Sequence, residues 1–117
     1  MPEDKAQISY DDFAKLDIRI GTVVAAELVP DTDKLIKCRV DFGTPPAGGG
    51  TRTIISGIAQ WRKPEELMGQ QFPYIVNLEP RVIRGIESEG MILAVGVEDG
   101  IALLNPDKDV PPGSRIR

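Results

Sequence analysis

Apolar and polar positions alternate most cleanly over residues 36–42. Ile36, Cys38, Val40 and Phe42 share one parity, while Lys37, Arg39 and Asp41 hold the other. A period of two predicts a β-strand with one buried face, and it places Cys38 inward as a small hydrophobe. A longer strand is predicted from Asp17. Ile18, Ile20, Val24, Ala26 and Leu28 form its apolar parity, and Arg19, Gly21, Val23, Ala25 and Glu27 the other. Gly21 suits a bend or bulge, as a strand crossing between sides of a small barrel needs. Pro30-Asp31-Thr32-Asp33 separates the two strands as a turn. Further strands are predicted over Arg52–Ile55, Phe72–Leu78, Met91–Val97 and Ile101–Leu104, the last two joined by Glu98-Asp99-Gly100.

Helical signals are short. Ser9 followed by Asp12 resembles an N-cap with its acidic partner, and it predicts a helix over Tyr10–Leu16 with Phe13 and Leu16 on one face. Ser56–Gln60 reads as a helical turn. Pro64–Gly69 reads as another, with proline at its first position, acids in its first turn and glycine past its end. Residues 1–8 read as a flexible lead-in, Gly43–Gly50 as a flexible connector and Asp107–Arg117 as a Pro/Gly-rich tail. The triple glycine at 48–50 is a weak phosphate-loop signal, since no Lys-Ser/Thr and no helix follow it. The order predicts an all-β chain: an OB-fold five-stranded barrel with a short N-terminal helix and a helical insertion, in one domain over 1–117. A β-sandwich would not normally carry a helical insertion before its fourth strand.

Composition narrows the function. The 117 residues contain no histidine and one cysteine. That argues against an imidazole base, a catalytic triad, an internal disulfide or a common zinc site, so no enzyme activity, metal or cofactor is expected. No stretch is apolar enough to span a membrane, the N-terminus is unlike a secretory signal, and a cytoplasmic location is expected. The net charge of −4 is unevenly spread. Residues 1–33 balance to −5, 34–84 to +4 and 85–117 to −3. The basic middle permits a nucleic-acid partner without establishing one. Only 5% of the chain is aromatic. That is lean for a binder that stacks successive bases on residues such as Trp61 and Tyr74, and it favours folded RNA read by shape.

Six short stretches carry a family resemblance: Asp12–Gly21, Asp33-Lys34-Leu35, Ile55–Ala59, Pro64–Gly69, Asn77–Arg81 and Ser88–Ala94. In this order the chain resembles the tRNA-binding domain found at the C-terminus of many methionyl-tRNA synthetases and in free-standing dimeric proteins. The resemblance runs from about Phe13 to the C-terminus. It implies an OB barrel binding the outside corner of tRNA by shape and backbone, a homodimer, and a possible aminoacyl-tRNA synthetase partner. With no catalytic domain preceding the module, it is not expected to charge tRNA itself. CsaA-type export chaperones resemble the Asp41-Phe42-Gly43-Thr44 segment and the tail as well, and they imply an alternative partner, unfolded precursor proteins. Asp33-Lys34-Leu35 and Ser88–Met91 resemble the tRNA-binding branch better.

The candidate tRNA-binding residues are Lys34, Lys37, Arg39, Arg52, Asn77, Arg81, Arg84, Ser88 and Met91. Lys34, Asn77, Arg81, Ser88 and Met91 follow from the family pattern. Lys37 and Arg39 share the outward parity of one strand, about 7 Å apart, close to a phosphate repeat; they equally fit a solvated sheet face. Arg52 would extend that patch from the next strand. Asn77, Arg81 and Arg84 surround Pro80 in a predicted exposed loop, where arginine can fork onto phosphate or pair with Glu79 or Glu87.

Overall fold

The computed structural model describes residues 4–46 and 48–117, so the first three residues of the lead-in lie outside the described residues. Among those described, α1 (Tyr10–Ala14) leads into β1 (Ile18–Leu28), β2 (Ile36–Asp41), β3 (Thr51–Ser56), α2 (Pro64–Leu67) and β4 (Gln71–Ile75). There follow β5 (Arg81–Ile83), β6 (Ile86–Ser88), β7 (Met91–Ile92), β8 (Ala94–Val97) and β9 (Gly100–Leu103). One antiparallel five-stranded sheet, in the order β3-β2-β1-β4-β7, curls into an OB-like barrel. The pairs β5–β6 and β8–β9 are separate hairpins.

The alternation in β2 is realised as expected. Ile36, Cys38, Val40 and Phe42 are buried. Phe42 meets the edge of Tyr74 at a centroid distance of 5.4 Å, and Ile54, Ile58, Leu67 and Phe72 complete the core. Burying each large side chain contributes about 1.5–3 kcal/mol, so this core supplies the driving force. Tyr74 is therefore not available to stack on a base; it is 1% exposed.

β1 departs from its expected parity. Its register on β2 shifts between Val23 and Ala25, leaving Val24 as the extra residue of a bulge. Val23 is buried while Val24 is half exposed. Before the bulge the inward positions are odd; after it, Ala26 packs on the core. A bulge adds one residue to one strand, and one residue reverses every face beyond it. Gly21 sits two residues ahead of the kink for another reason. A Cβ there would lie 2.4 Å from Val40 Cγ1 and 2.7 Å from Phe42 Cε1.

Ile18 and Ile20 thus face outward, and the C-terminal tail covers that side. Ile20 N–H donates to Ser114 O at 2.9 Å, Gly113 N–H to Ile20 O at 2.7 Å and Ile116 N–H to Ile18 O at 2.8 Å. The tail runs as an extra strand beside the stretch of β1 that β2 does not reach. Gly113, at φ +88°, presses so close to the Phe42 carbonyl that a Cβ would overlap it.

The barrel seam between β3 and β6–β7 lacks a regular ladder. Ser88 Oγ accepts from Ile55 N–H at 3.0 Å, and Glu89 N–H donates to Thr53 O at 2.8 Å. The Glu89 carboxylate accepts from Thr53 N–H at 3.2 Å. The stretch expected as a loop around Pro80 continues into the β5–β6 hairpin, turned by Arg84 and Gly85, both at positive φ. Two consecutive positive-φ residues suit the tightest hairpin turn. Met91–Val97, expected as one strand, breaks into β7 and β8. The connector from Gly43 to Gly50 is closed by backbone hydrogen bonds, including Phe42 N–H to Gly50 O and Gly50 N–H to Gly43 O, both 2.8 Å.

Candidate nucleic-acid interface

Three candidate cations lie on β2 or just before it. Lys34 precedes it after the turn. Its backbone is pinned by Thr32 Oγ1, which accepts from Lys34 N–H at 3.2 Å, and by Ala59 N–H, which donates to Lys34 O at 3.1 Å. Its side chain makes no ion pair among the described residues. Lys37 lies opposite Glu27 on β1 and pairs with it at 3.5 Å. An exposed pair of this kind contributes little, so a phosphate can compete for the ammonium. Arg39 is exposed and donates from Nη1 to Thr53 Oγ1 at 2.6 Å, which ties the guanidinium to the neighbouring strand.

The next strand brings this face to a groove. Ile55 lies opposite Lys37 in register and Thr53 opposite Arg39. Ile55 also lines a small cavity of about 70 Å³ beneath the β5–β6 hairpin, with Leu78, Glu79, Arg81, Ser88 and Met91. Arg81, Ser88 and Met91 are thus gathered one strand away from Lys37 and Arg39. Arg81 and Met91 are exposed, but Ser88 is 4% exposed. Its hydroxyl already accepts from Ile55 N–H and donates to Gly90 O at 3.3 Å. Arg84 stands at the exposed hairpin tip, and neither Arg81 nor Arg84 pairs with Glu79 or Glu87 among the described residues.

Two candidates lie elsewhere. Arg52 was expected to extend the Lys37–Arg39 patch, but it pairs with Val40, so its side chain takes the opposite face of β3. Its guanidinium sits 5.8 Å from the Phe42 ring centroid and donates to Val76 O at 2.7 Å. Asn77 is exposed as expected, yet its amide is used at both ends. Oδ1 accepts from Asp17 N–H at 2.9 Å and Nδ2 donates to Lys15 O at 2.7 Å, fastening the end of α1 to β4. Arg52 and Asn77 line a second cavity, of about 360 Å³, with Asp17, Arg19, Phe42 and Arg115.

Around this second cavity the Arg19 guanidinium forks onto Asp17, Nε to Oδ1 at 3.0 Å and Nη2 to Oδ2 at 3.1 Å. That hydrogen bonding to Arg19 holds the Asp17 carboxyl below its ordinary range, with the charges of Arg19, Arg115 and Arg52 adding to it against the cost of burial. Arg19 and Arg115 escaped the sequence reading. They lie at opposite ends of the chain, and only the antiparallel bridge between them brings them together.

Residues 18–115 match the family profile of a tRNA binding domain. The chain belongs to the tRNA-binding-domain family. Among curated relatives of this domain, the methionine–tRNA ligase of Bacteroides fragilis is 50% identical over 114 residues. The match takes in 97% of this chain and 16% of the ligase, so the chain spans about one sixth of the length of the curated relatives it matches. Among solved structures, the MetRS related protein from Pyrococcus horikoshii is 39% identical with a TM-score of 0.87, over 97% of this chain and 100% of that one. The chaperone CsaA from Bacillus anthracis is 35% identical with a TM-score of 0.82, over 96% and 100%. The family is a binding domain and the barrel carries it. Its matched span takes in the β2 face, the groove and, except for Asp17, the lining of the second cavity.

Proposed function

We propose that the chain is a non-catalytic tRNA-binding protein that recognises the outside corner of folded tRNA by shape and backbone contacts. The observation that carries this reading is the adjacency of Lys37 and Arg39 on β2, with Lys34 two residues before that strand, to Arg81 and Met91 at the groove. Cations spaced along a strand suit successive phosphates, and the half-apolar groove beside them suits a sugar or base edge. The protein acts in the cytoplasm, in trans with an aminoacyl-tRNA synthetase. No helix among the described residues is long and apolar enough to cross a membrane.

A homodimer belongs to this reading. α1 buries none of its residues and leaves Tyr10, Phe13 and nearby Leu16 exposed. Leu16 and Ile116 line one surface hollow, and Ile116 lines the next with Ile20, Pro73, Leu104 and Val110. The two chain ends thereby adjoin, and the apolar hollow around Ile20, Leu104 and Ile116 is the kind of surface that a second copy would cover.

A gel-shift titration with bulk tRNA at two salt concentrations tests the function. Binding should be poorly selective among tRNAs and should fall steeply with salt. Lys34→Ala and Arg81→Ala should weaken all tRNAs alike, each lowering the salt slope by about 1. No shift with bulk tRNA at low salt refutes the proposal; unchanged binding in both variants refutes the site. The apolar lining of the groove by Ile55, Leu78, Ile83 and Met91 favours a second reading, a CsaA-type chaperone holding unfolded precursor proteins. Displacement of tRNA by an unfolded polypeptide would support it.

A further inference from the structure

The second cavity lies on the other face of the β2–β3 pair from the groove, and nothing in the proposed tRNA site uses it. Three guanidinium groups reach it from three separate segments: Arg19 from β1, Arg52 from β3 and Arg115 from the tail. Asp17 is its one lining carboxylate, so the local charge balance is +2. The donor inventory shows what is left over. Arg19 spends Nε and Nη2 on Asp17. Arg52 spends Nη1 on the carbonyls of Val76 and Glu89, at 2.7 and 3.4 Å. Arg115 Nε approaches Asp17 Oδ1 at 3.7 Å. Among the described residues, Arg19 Nη1, Arg52 Nε and Nη2, and both Arg115 Nη atoms have no protein acceptor. The spare donors of Arg19 and Arg52 are not sealed from solvent, the Arg115 side chain is 70% exposed, and all three residues line the cavity. Asn77 cannot compete for a ligand, because its amide is already committed at both ends.

We propose that this cavity binds a phosphate group carrying two negative charges, held by Arg19, Arg52 and Arg115. Guanidinium forks match phosphate oxygens in geometry, and a doubly charged phosphate matches the excess of +2, which a singly charged backbone diester does not. Two of the arginines are held before a ligand arrives, Arg19 by Asp17 and Arg52 by Val76 O and Phe42, while the bridge to Arg19 places the backbone of Arg115 beside them. The charges of all three arginines also help lower the Asp17 carboxyl from its ordinary range. A cavity of about 360 Å³ exceeds a phosphate alone and accepts the terminal phosphate of a larger molecule. The group could be a free phosphate or mononucleotide, or the 5′-terminal phosphate of an RNA chain.

The test is a titration of the full chain with inorganic phosphate at constant ionic strength, read by the backbone amide resonances of Gly48 and Gly49, which line the cavity. Saturable shifts are expected. Arg115→Gln, on a side chain 70% exposed and so safe for folding, should weaken binding about tenfold or more. Lys108→Gln, which removes the same charge elsewhere, should leave it unchanged. Absence of shifts, or equal binding by Arg115→Gln, overturns the proposal whatever the tRNA titration shows. A second arm compares a 5′-phosphorylated oligoribonucleotide with its dephosphorylated form. Tighter binding of the phosphorylated form that is lost in Arg115→Gln assigns the site to RNA ends, and equal binding of the two assigns it to small phosphates.

Discussion

Ser88→Ala separates a seam role from a ligand role at one atom. The hydroxyl accepts from Ile55 N–H at 3.0 Å and donates to Gly90 O at 3.3 Å in a residue 4% exposed. Ile55 is itself 7% exposed. Alanine would leave a buried amide without an acceptor at the one place where the barrel closes without a ladder. The desolvation cost of such an orphan is about 1–3 kcal/mol. For a chain of this size the urea slope is about 1–3 kcal/mol per M, so the midpoint should fall by about 1 M with the slope unchanged. Equilibrium urea unfolding followed by circular dichroism reads this directly. An unchanged midpoint would refute the seam argument. If the midpoint holds while tRNA affinity drops, the hydroxyl serves RNA and not the barrel.

Gly21→Ala should lower the thermal midpoint, because its Cβ would fall 2.4 Å from Val40 Cγ1 in a packed core; overpacking of this kind costs about 1–3 kcal/mol, and a melt matching the parent would contradict the close approach. Asp17 has a lowered pKa, so its stabilising contribution is complete above its ordinary value of 3.8 and is lost as pH falls through the lowered value. Asp17→Asn should accordingly flatten the acid limb of a stability–pH curve, and a limb as steep as the parent's would count against the Asp17–Arg19 fork. Burial pushes the Cys38 thiol up to about 11. Native protein at pH 8 should therefore resist a thiol reagent such as iodoacetamide and react only on unfolding; rapid labelling of the native state would show the strand to be open.

What the sequence determined by itself was local. The alternation of Ile36, Cys38, Val40 and Phe42 fixed a strand and its buried face, because nothing interrupts its register. Ser9 with Asp12 marked one short helix through hydrogen bonds that span three residues, and Pro64 with Glu65 and Glu66 marked a second through its first-turn composition. The six family stretches were enough for the fold and the tRNA-binding family. Tertiary structure alone decided the rest. Periodicity assumes an unbroken register, so one bulged residue, Val24, left Ile18 and Ile20 on the outer side for the tail to cover. Arg52 parted from Lys37 and Arg39 because pairing with Val40 sets its face, and pairing is not written in one strand. Ser88 became part of a seam, and Arg19, Arg52 and Arg115 became neighbours, through contacts between segments far apart in the chain. Such contacts follow from closing the barrel, and no local pattern of residues encodes them.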